Sequence, residues 1–200
     1  MPAPPPAADS PAGVVQRLKW CWENRDPGRY SQLFTADFRY TFLPNDSSGD
    51  AFRLSPWTQL DEYLSAYHLF KSGVAGSPPA SAITLAFSGD IVTQSDYRPG
   101  KIFPWHQSVA LEFTTLLVTL ADGESFRAVG SQGFTVVRGD SARLPQYLID
   151  SGLGDAHHWF IDSWWQYGGY LLAPASRNGP AQASDAALVT WGWLKTHYLQ

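Results

Sequence analysis

Over residues 23–42 the chain ends one helix, makes a short second one and enters a strand, with no linker between them. Asp26-Pro27 is a helix start: the aspartate can accept from a first-turn N–H, and the proline lacks an N–H that would have had no partner there. Tyr30, Leu33 and Phe34 give this helix its buried side, over about two turns. From 38 to 42 the period becomes two, with Phe38, Tyr40 and Phe42 on one face and Arg39 and Thr41 on the other, the pattern of a half-buried strand. Such a succession points to a fold built around a pocket.

The flanking segments extend this pattern. Ser10-Pro11 is the same start signal, and Val14, Val15, Leu18 and Trp22 follow at helical spacing. Ser55-Pro56 predicts a third helix with Trp57, Leu60, Leu64 and Tyr67 as its apolar stripe and Gly73 as its stop. Beyond Ser77-Pro78-Pro79 the chain turns to strands, expected at 82–87, 90–97, 106–120, 125–137 and 157–167, with Asp122-Gly123 a tight turn between the two longest. Residues 97–100 and 173–185 read as loops, and 186–199 as a last helix with Trp191, Leu194 and Tyr198 on one side, weakened by Gly192. Helices first, then a run of antiparallel strands, then a terminal helix predicts an α+β fold with helices on one face of a curled sheet.

Length and composition bound the rest. At 200 residues, 44% of them hydrophobic, one sizeable core is expected: a single domain over 11–200 behind a Pro/Ala-rich lead-in, residues 1–10, without fixed structure. A net charge of -4 from only 16% charged residues gives no footprint for a polyanion, so nucleic acid is not expected as a partner. No apolar run approaches the roughly 20 residues of a membrane span, and a soluble chain is expected, cytoplasmic as written. Cys21, the single cysteine, lies in an apolar helix and reads as a buried, inert thiol. The 9 Trp, 9 Tyr and 11 Phe supply either a core made of rings or a ring-lined cavity.

The element order, together with Leu33-Phe34-Thr35-Ala36-Asp37-Phe38-Arg39-Tyr40, Val136-Val137-Arg138-Gly139-Asp140-Ser141-Ala142-Arg143 and Trp159-Phe160-Ile161 with Trp164, resembles the cone-shaped nuclear-transport-factor-2-like superfamily. That superfamily includes ketosteroid isomerases and SnoaL-like cyclases and dehydratases, and the likeness is greatest to uncharacterised bacterial members, often exported or lipid-tethered. It covers about residues 12–168 and implies a curled sheet around the N-terminal helices, extended here by a C-terminal helix. Laid on the isomerase pattern without gaps, the oxyanion-holding tyrosine falls on Leu18, the base aspartate on Phe42 and the protonated aspartate on Gln132. An amide in place of that neutral carboxylic acid disfavours steroid-type isomerisation. The resemblance also sets strand parity: Ile161, Ser163, Trp165 and Tyr167 face the cavity, Asp162 and Trp164 face outward, with Asp162 an anchor for the terminal helix or a dimer contact.

The expected function is the binding of a small apolar or aromatic molecule, with Trp20, Tyr40, Phe42, Tyr63, Tyr67, Phe113, Gln132, Ser163, Trp165 and Tyr167 lining its cavity. A cofactor-independent isomerase, cyclase or dehydratase is the alternative, and it needs a titrating group inside; Glu112, Asp162 and His106 are the candidates. A third reading is a dimeric interaction module whose sheet face carries Phe160 and Trp164. The histidines, His68, His106, His157, His158 and His197, lack zinc-ligand spacing and read as surface or hydrogen-bonded structural groups. Gly130-Ser131-Gln132-Gly133 is a strand bend rather than a nucleophile elbow. Phosphate loops and dinucleotide fingerprints are missing from the sequence, so no cofactor is expected.

Overall fold

A computed structural model describes residues 3–167 and 186–199. The loop expected at 173–185 lies outside the described residues. Helix α1 (Pro11–Asn24) is capped by Ser10, whose Oγ accepts from the Gly13 N–H at 3.0 Å, and α2 (Pro27–Ser31) by Asp26, which accepts from the Arg29 N–H at 2.9 Å. Strand β1 (Phe34–Thr41) follows at once. Helix α3 (Gln59–Tyr67) continues into a wider turn, His68–Ser72, which Gly73 closes at positive φ. Then come β2 (Ala80–Ser88), β3 (Val92–Ser95), β4 (His106–Leu120), β5 (Ser125–Arg138), a short α4 (Gln146–Asp150), β6 (Trp159–Tyr167), β7 (Ala187–Val189) and α5 (Trp191–His197).

The seven strands form one mixed sheet in the order β1-β6-β5-β4-β2, with β3 on β4 and β7 on β5. The antiparallel pairing expected from sequence holds through β2, β4, β5 and β6, whereas β1 joins β6, and β7 joins β5, in parallel. Tight turns force antiparallel neighbours only where they connect consecutive strands. Between β1 and β6 the chain passes through α3 and the whole meander, so nothing fixes their relative sense.

Three expectations are corrected. Helix α3 starts at Thr58, not Ser55, because Thr58 and Asp61 form a reciprocal capping box. The buried side also differs: Glu62, Ser65 and Ala66 face the core, while Leu60 is 61% exposed. The terminal segment begins as strand β7 before α5, because three residues pair with β5 before Thr190 caps the helix. The lead-in, as far as it is described, lies against the domain: Ala8 is buried, its carbonyl accepts from the Trp159 N–H at 2.8 Å, and the Ala3 carbonyl accepts from Trp20 Nε1 at 3.0 Å. Backbone carbonyls hold it, and composition does not report those.

Aromatic side chains knit the core. Trp22 of α1 meets Tyr30, Phe70 and Trp191 edge-on with centroids 5.4–6.1 Å apart, and Trp191 in turn meets Trp164 of β6 at 5.4 Å. Each edge-to-face pair adds about 0.5–1.5 kcal/mol beyond its burial. Helix α5 therefore packs inside the curl of the sheet. Gly192 permits this close approach: a Cβ there would lie 2.3 Å from Asp46 Oδ2 and 2.7 Å from Phe42 Cδ1.

Gly192→Ala sets helix propensity, which favours alanine by about 1 kcal/mol, against this clash. The clash is with a buried carboxylate and a packed ring, so the substitution is expected to lower stability by ~1–3 kcal/mol in urea denaturation. An unchanged or raised midpoint would mean that α5 is not seated this tightly.

Candidate functional site

The centre of the cone is polar. Glu62 of α3 and Lys195 of α5, 1% and 2% exposed, are hydrogen-bonded to each other. The Glu62 carboxylate also accepts from the Tyr30 hydroxyl and, at 2.9 Å, from Trp57 Nε1. The Lys195 ammonium sits over three rings, 3.9 Å from the Trp164 centroid, 4.7 Å from Tyr40 and 5.9 Å from Trp22, where the negative ring faces favour a cation. Burial lowers the Lys195 ammonium, with Glu62 acting in the opposite direction. Tyr30 and Tyr40 are both pushed up, first by burial and then by the Glu62 charge.

Sequence reasoning did not single out this pair. The usable signal was spacing: Trp191, Leu194, Lys195 and Tyr198 recur at i, i+3, i+4 and i+7, so the stripe that packs α5 contains the lysine. On α3 the apolar stripe expected from sequence did not include Glu62.

The ten residues expected to line one cavity are distributed over four places. Tyr40 and Gln132 face the interior, and Phe42 stacks on Phe52 at its rim, centroids 5.3 Å apart. Tyr63 and Tyr67 pair with each other on α3, and Tyr67 is 39% exposed. Phe113, Ser163, Trp165 and Tyr167 lie on the opposite face of the sheet from Gln132 and Trp164. Trp20 is on the outside of α1.

Ile161 faces the core and Asp162 lies outside it, as expected, but beyond Asp162 the parity of β6 is reversed, and the cause is a bulge. Val136 pairs with Ile161 but Thr135 pairs with Ser163, so Asp162 is an extra residue. One inserted residue flips every side chain beyond it. Trp164 and Gln166 turn inward, and Trp165 crosses Gly133, where a Cβ would lie 2.3 Å from its ring. Phe160 and Trp164, expected on a docking face, are both buried.

The titrating groups proposed for catalysis also lie outside the interior. Glu112 is exposed, and His106 Nδ1 lies 3.2 Å from the Ile102 N–H. Asp162 is held by Arg98 at 2.6 Å and Lys101 at 3.7 Å, so it anchors the loop after β3 rather than the terminal helix. His68, His158 and His197 are hydrogen-bonded to the Tyr198 carbonyl, Asp155 and Ser77 respectively. Burial pushes the Cys21 thiol up to about 12. Among the described residues no three His, Cys, Asp or Glu converge on a metal position, and no helix is long and apolar enough to cross a membrane.

An open concavity lies elsewhere. A groove of about 510 Å³ runs between the lead-in, α1 and the β2–β3 turn, lined by Pro6, Trp20, Phe87 and Ile91 with Gln16, Lys19, Glu23 and Asp90. Lys19 and Glu23 are bonded to each other, and Glu23 also accepts from the Leu85 N–H at 3.2 Å.

No protein-family model matches the chain, and no curated protein matches its sequence. Solved structures match its shape. A protein from Novosphingobium aromaticivorans, provisionally named an aromatic ring hydroxylase, is 12% identical, covering 78% of this chain and 83% of its own at a TM-score of 0.50. A nuclear-transport-factor-2-like superfamily protein from Salmonella enterica is 11% identical over 83% of this chain and 92% of its own, with a TM-score of 0.48. A protein of the same type from Rhodospirillum rubrum is 14% identical over 80% and 98%, with a TM-score of 0.46. In shape the chain is similar to these proteins, two of which are described as nuclear-transport-factor-2-like. At such identities the likeness is one of fold, and this fold hosts unrelated functions.

The positions matched to the isomerase machinery hold no acid or base. Leu18 is buried in the core, Phe42 is stacked, and Gln132 accepts from Trp164 Nε1 at 2.8 Å. The interior acid and base are Glu62 and Lys195, and they are bonded to each other.

Two predictions follow from these charges. Glu62→Ala leaves Lys195, Tyr30 and Trp57 without their acceptor and should cost about 3–5 kcal/mol by urea denaturation. The double variant Glu62→Leu/Lys195→Met should be more stable than Glu62→Leu alone, because the uncompensated charge is gone. At acid pH Asp96, to which Arg98 donates at 2.8–3.0 Å, should contribute to the loss of stability. Burial alone would raise Asp96, but the Arg98 hydrogen bonds and charge outweigh it and hold the carboxyl below 3.8. A carboxyl lowered by folding binds fewer protons folded than unfolded, so its contribution is present above 3.8 and lost as pH falls through the folded value. Asp96→Asn should therefore flatten the acid limb of Tm against pH. An unaltered limb would show that other carboxyls carry it.

Proposed function

We propose that this protein binds a small apolar or aromatic molecule in the groove at Trp20. The observation that carries this reading is the groove itself: about 510 Å³, open, and walled by Trp20, Phe87, Ile91 and Pro6. That volume falls in the range of small-molecule sites, which are mostly apolar with a few placed polar groups. Burying a ring against Trp20 would contribute about 1.5–3 kcal/mol, and Gln16 and Asp90 would orient its polar end. A cofactor-independent isomerase, cyclase or dehydratase would need an acid or base free to face the ligand. In the groove Lys19 and Glu23 are paired with each other, which leaves Asp90 as the acid that reading would have to use.

A homodimer is the second reading, and a specific observation favours it: Phe113 and Tyr167 are exposed beside Trp165 on the outer sheet face, which also exposes Leu117 further along β4. Sedimentation at micromolar concentration tests it, and a strict monomer removes it.

The groove is tested by a thermal-shift screen of apolar and aromatic compounds on the wild type and on Trp20→Ala. A ligand at 100 times its Kd should add about 2.7 kcal/mol of stability. Saturable shifts in the wild type that vanish in Trp20→Ala are expected. Shifts that survive the substitution, or none with any compound, would remove the groove as the site.

A further inference from the structure

A second recognition chemistry lies inside the cone, independent of the groove. Lys195 does not merely fill space there. Its ammonium is held by the Glu62 carboxylate and boxed by the faces of Trp164, Tyr40 and Trp22 at 3.9, 4.7 and 5.9 Å. The carboxylate is itself fixed by Tyr30 and Trp57. A rigid carboxylate within an aromatic box is how an organic ammonium ion is bound, by charge at one side and ring quadrupoles at the others. Three walls of the box come from the cone, on α1, β1 and β6, and the cation comes from α5.

Helix α5 does not fully satisfy the site it enters. With Lys195 in place, Trp22 Nε1, the Tyr40 hydroxyl and Gln132 Nε2 have no hydrogen-bond partner, and all three side chains are buried. Trp191 Nε1, brought in by α5, is unpartnered as well. Buried polar groups are normally paired. Two of the unpartnered groups on the cone are N–H donors, on Trp22, whose ring faces the ammonium, and on Gln132, whose Oε1 accepts from Trp164; they would bond an oxygen acceptor, which a lysine side chain does not carry.

We infer that the interior of the cone is a recognition site for an organic ammonium ion bearing a nearby oxygen acceptor, which Lys195 occupies in cis. The ion pairs with Glu62, lies against Trp164 and Tyr40, and offers its oxygen to Trp22 Nε1 and Gln132 Nε2. Lys195 competes with it as a tethered ligand whose effective concentration, in the millimolar range or above, lowers the apparent affinity of any amine for the wild type.

The test uses the full chain and n-butylammonium, which matches the lysine side chain, with 1-pentanol as its uncharged counterpart. Lys195→Ala should bind n-butylammonium at least tenfold more tightly than the wild type by calorimetry, and should prefer it to 1-pentanol by a similar factor. Adding Glu62→Gln should abolish the preference, and Trp20→Ala should leave it intact, which separates this site from the groove. Equal binding of the alcohol would show a merely apolar slot and overturn the inference, as would a folded Lys195→Ala that binds neither compound. Should Lys195→Ala not fold, hydrogen exchange of the wild type decides. Saturating n-butylammonium must speed exchange of the amides of 191–197 relative to 1-pentanol, and unchanged exchange overturns the inference.

Discussion

The buried ion pair between Glu62 and Lys195 constrains everything around it. Taking both charges out of water costs several kcal/mol per ion, and their attraction offsets that only if the remaining hydrogen-bonding capacity is also met. Tyr30 and Trp57 meet it for the carboxylate and the rings of Trp164 and Tyr40 for the ammonium. Each partner arrives from a different element, so the pair is satisfied only when α2, α3, β1, β6 and α5 are together. Hydrophobic burial would tolerate small shifts among these elements. A desolvated charge does not, which makes the pair a register device as much as a source of stability.

That device explains the seating of α5. A helix of seven residues has little intrinsic stability, and its position must come from tertiary contacts. Thr190 caps it and donates to Asp46 at 2.7 Å, Gly192 lets it pass Phe42, Trp191 meets Trp22 and Trp164, and the Lys195 carbonyl accepts from Ser65 at 2.8 Å. Its far end is tied as well, with the Tyr198 hydroxyl on the Pro78 carbonyl at 2.9 Å. The helix closes the cone at its centre.

What sequence could and could not show divides along physical lines. Element positions set by local chemistry were legible: Ser10 and Asp26 cap the helices they were expected to cap, and β4 runs over the expected residues 106–120. Facing was not legible on β6 and α3. The Asp162 bulge moved Trp164 inward and Trp165 outward, and on α3 Glu62 faces inward and Leu60 outward. On β6 the hydrophobic pattern fits two phases about equally well, because aromatic residues stand on both faces, whereas on α3 it favours the wrong phase, since the inward positions are Glu62, Ser65 and Ala66. Lys195 was missed for another reason: a lone lysine beside apolar residues reads as solvated unless the carboxylate that pairs with it, 133 residues earlier, is already placed.

The distribution of rings bears on how such a protein could recognise anything. A cone lined only with apolar side chains would collapse on itself or accept any greasy molecule of the right size. Here the interior rings are organised by two charges and leave buried donors unpartnered, whereas the rings at the groove are organised by helix α1 and the β2–β3 turn and stay open. Discrimination is strongest where buried polar groups would go unpaired with the wrong occupant. On the two proposals made above, the groove would sort molecules by shape and the interior would sort them by charge, and tryptophan would serve both ends, since its ring supplies area in one place and a face for a cation in the other.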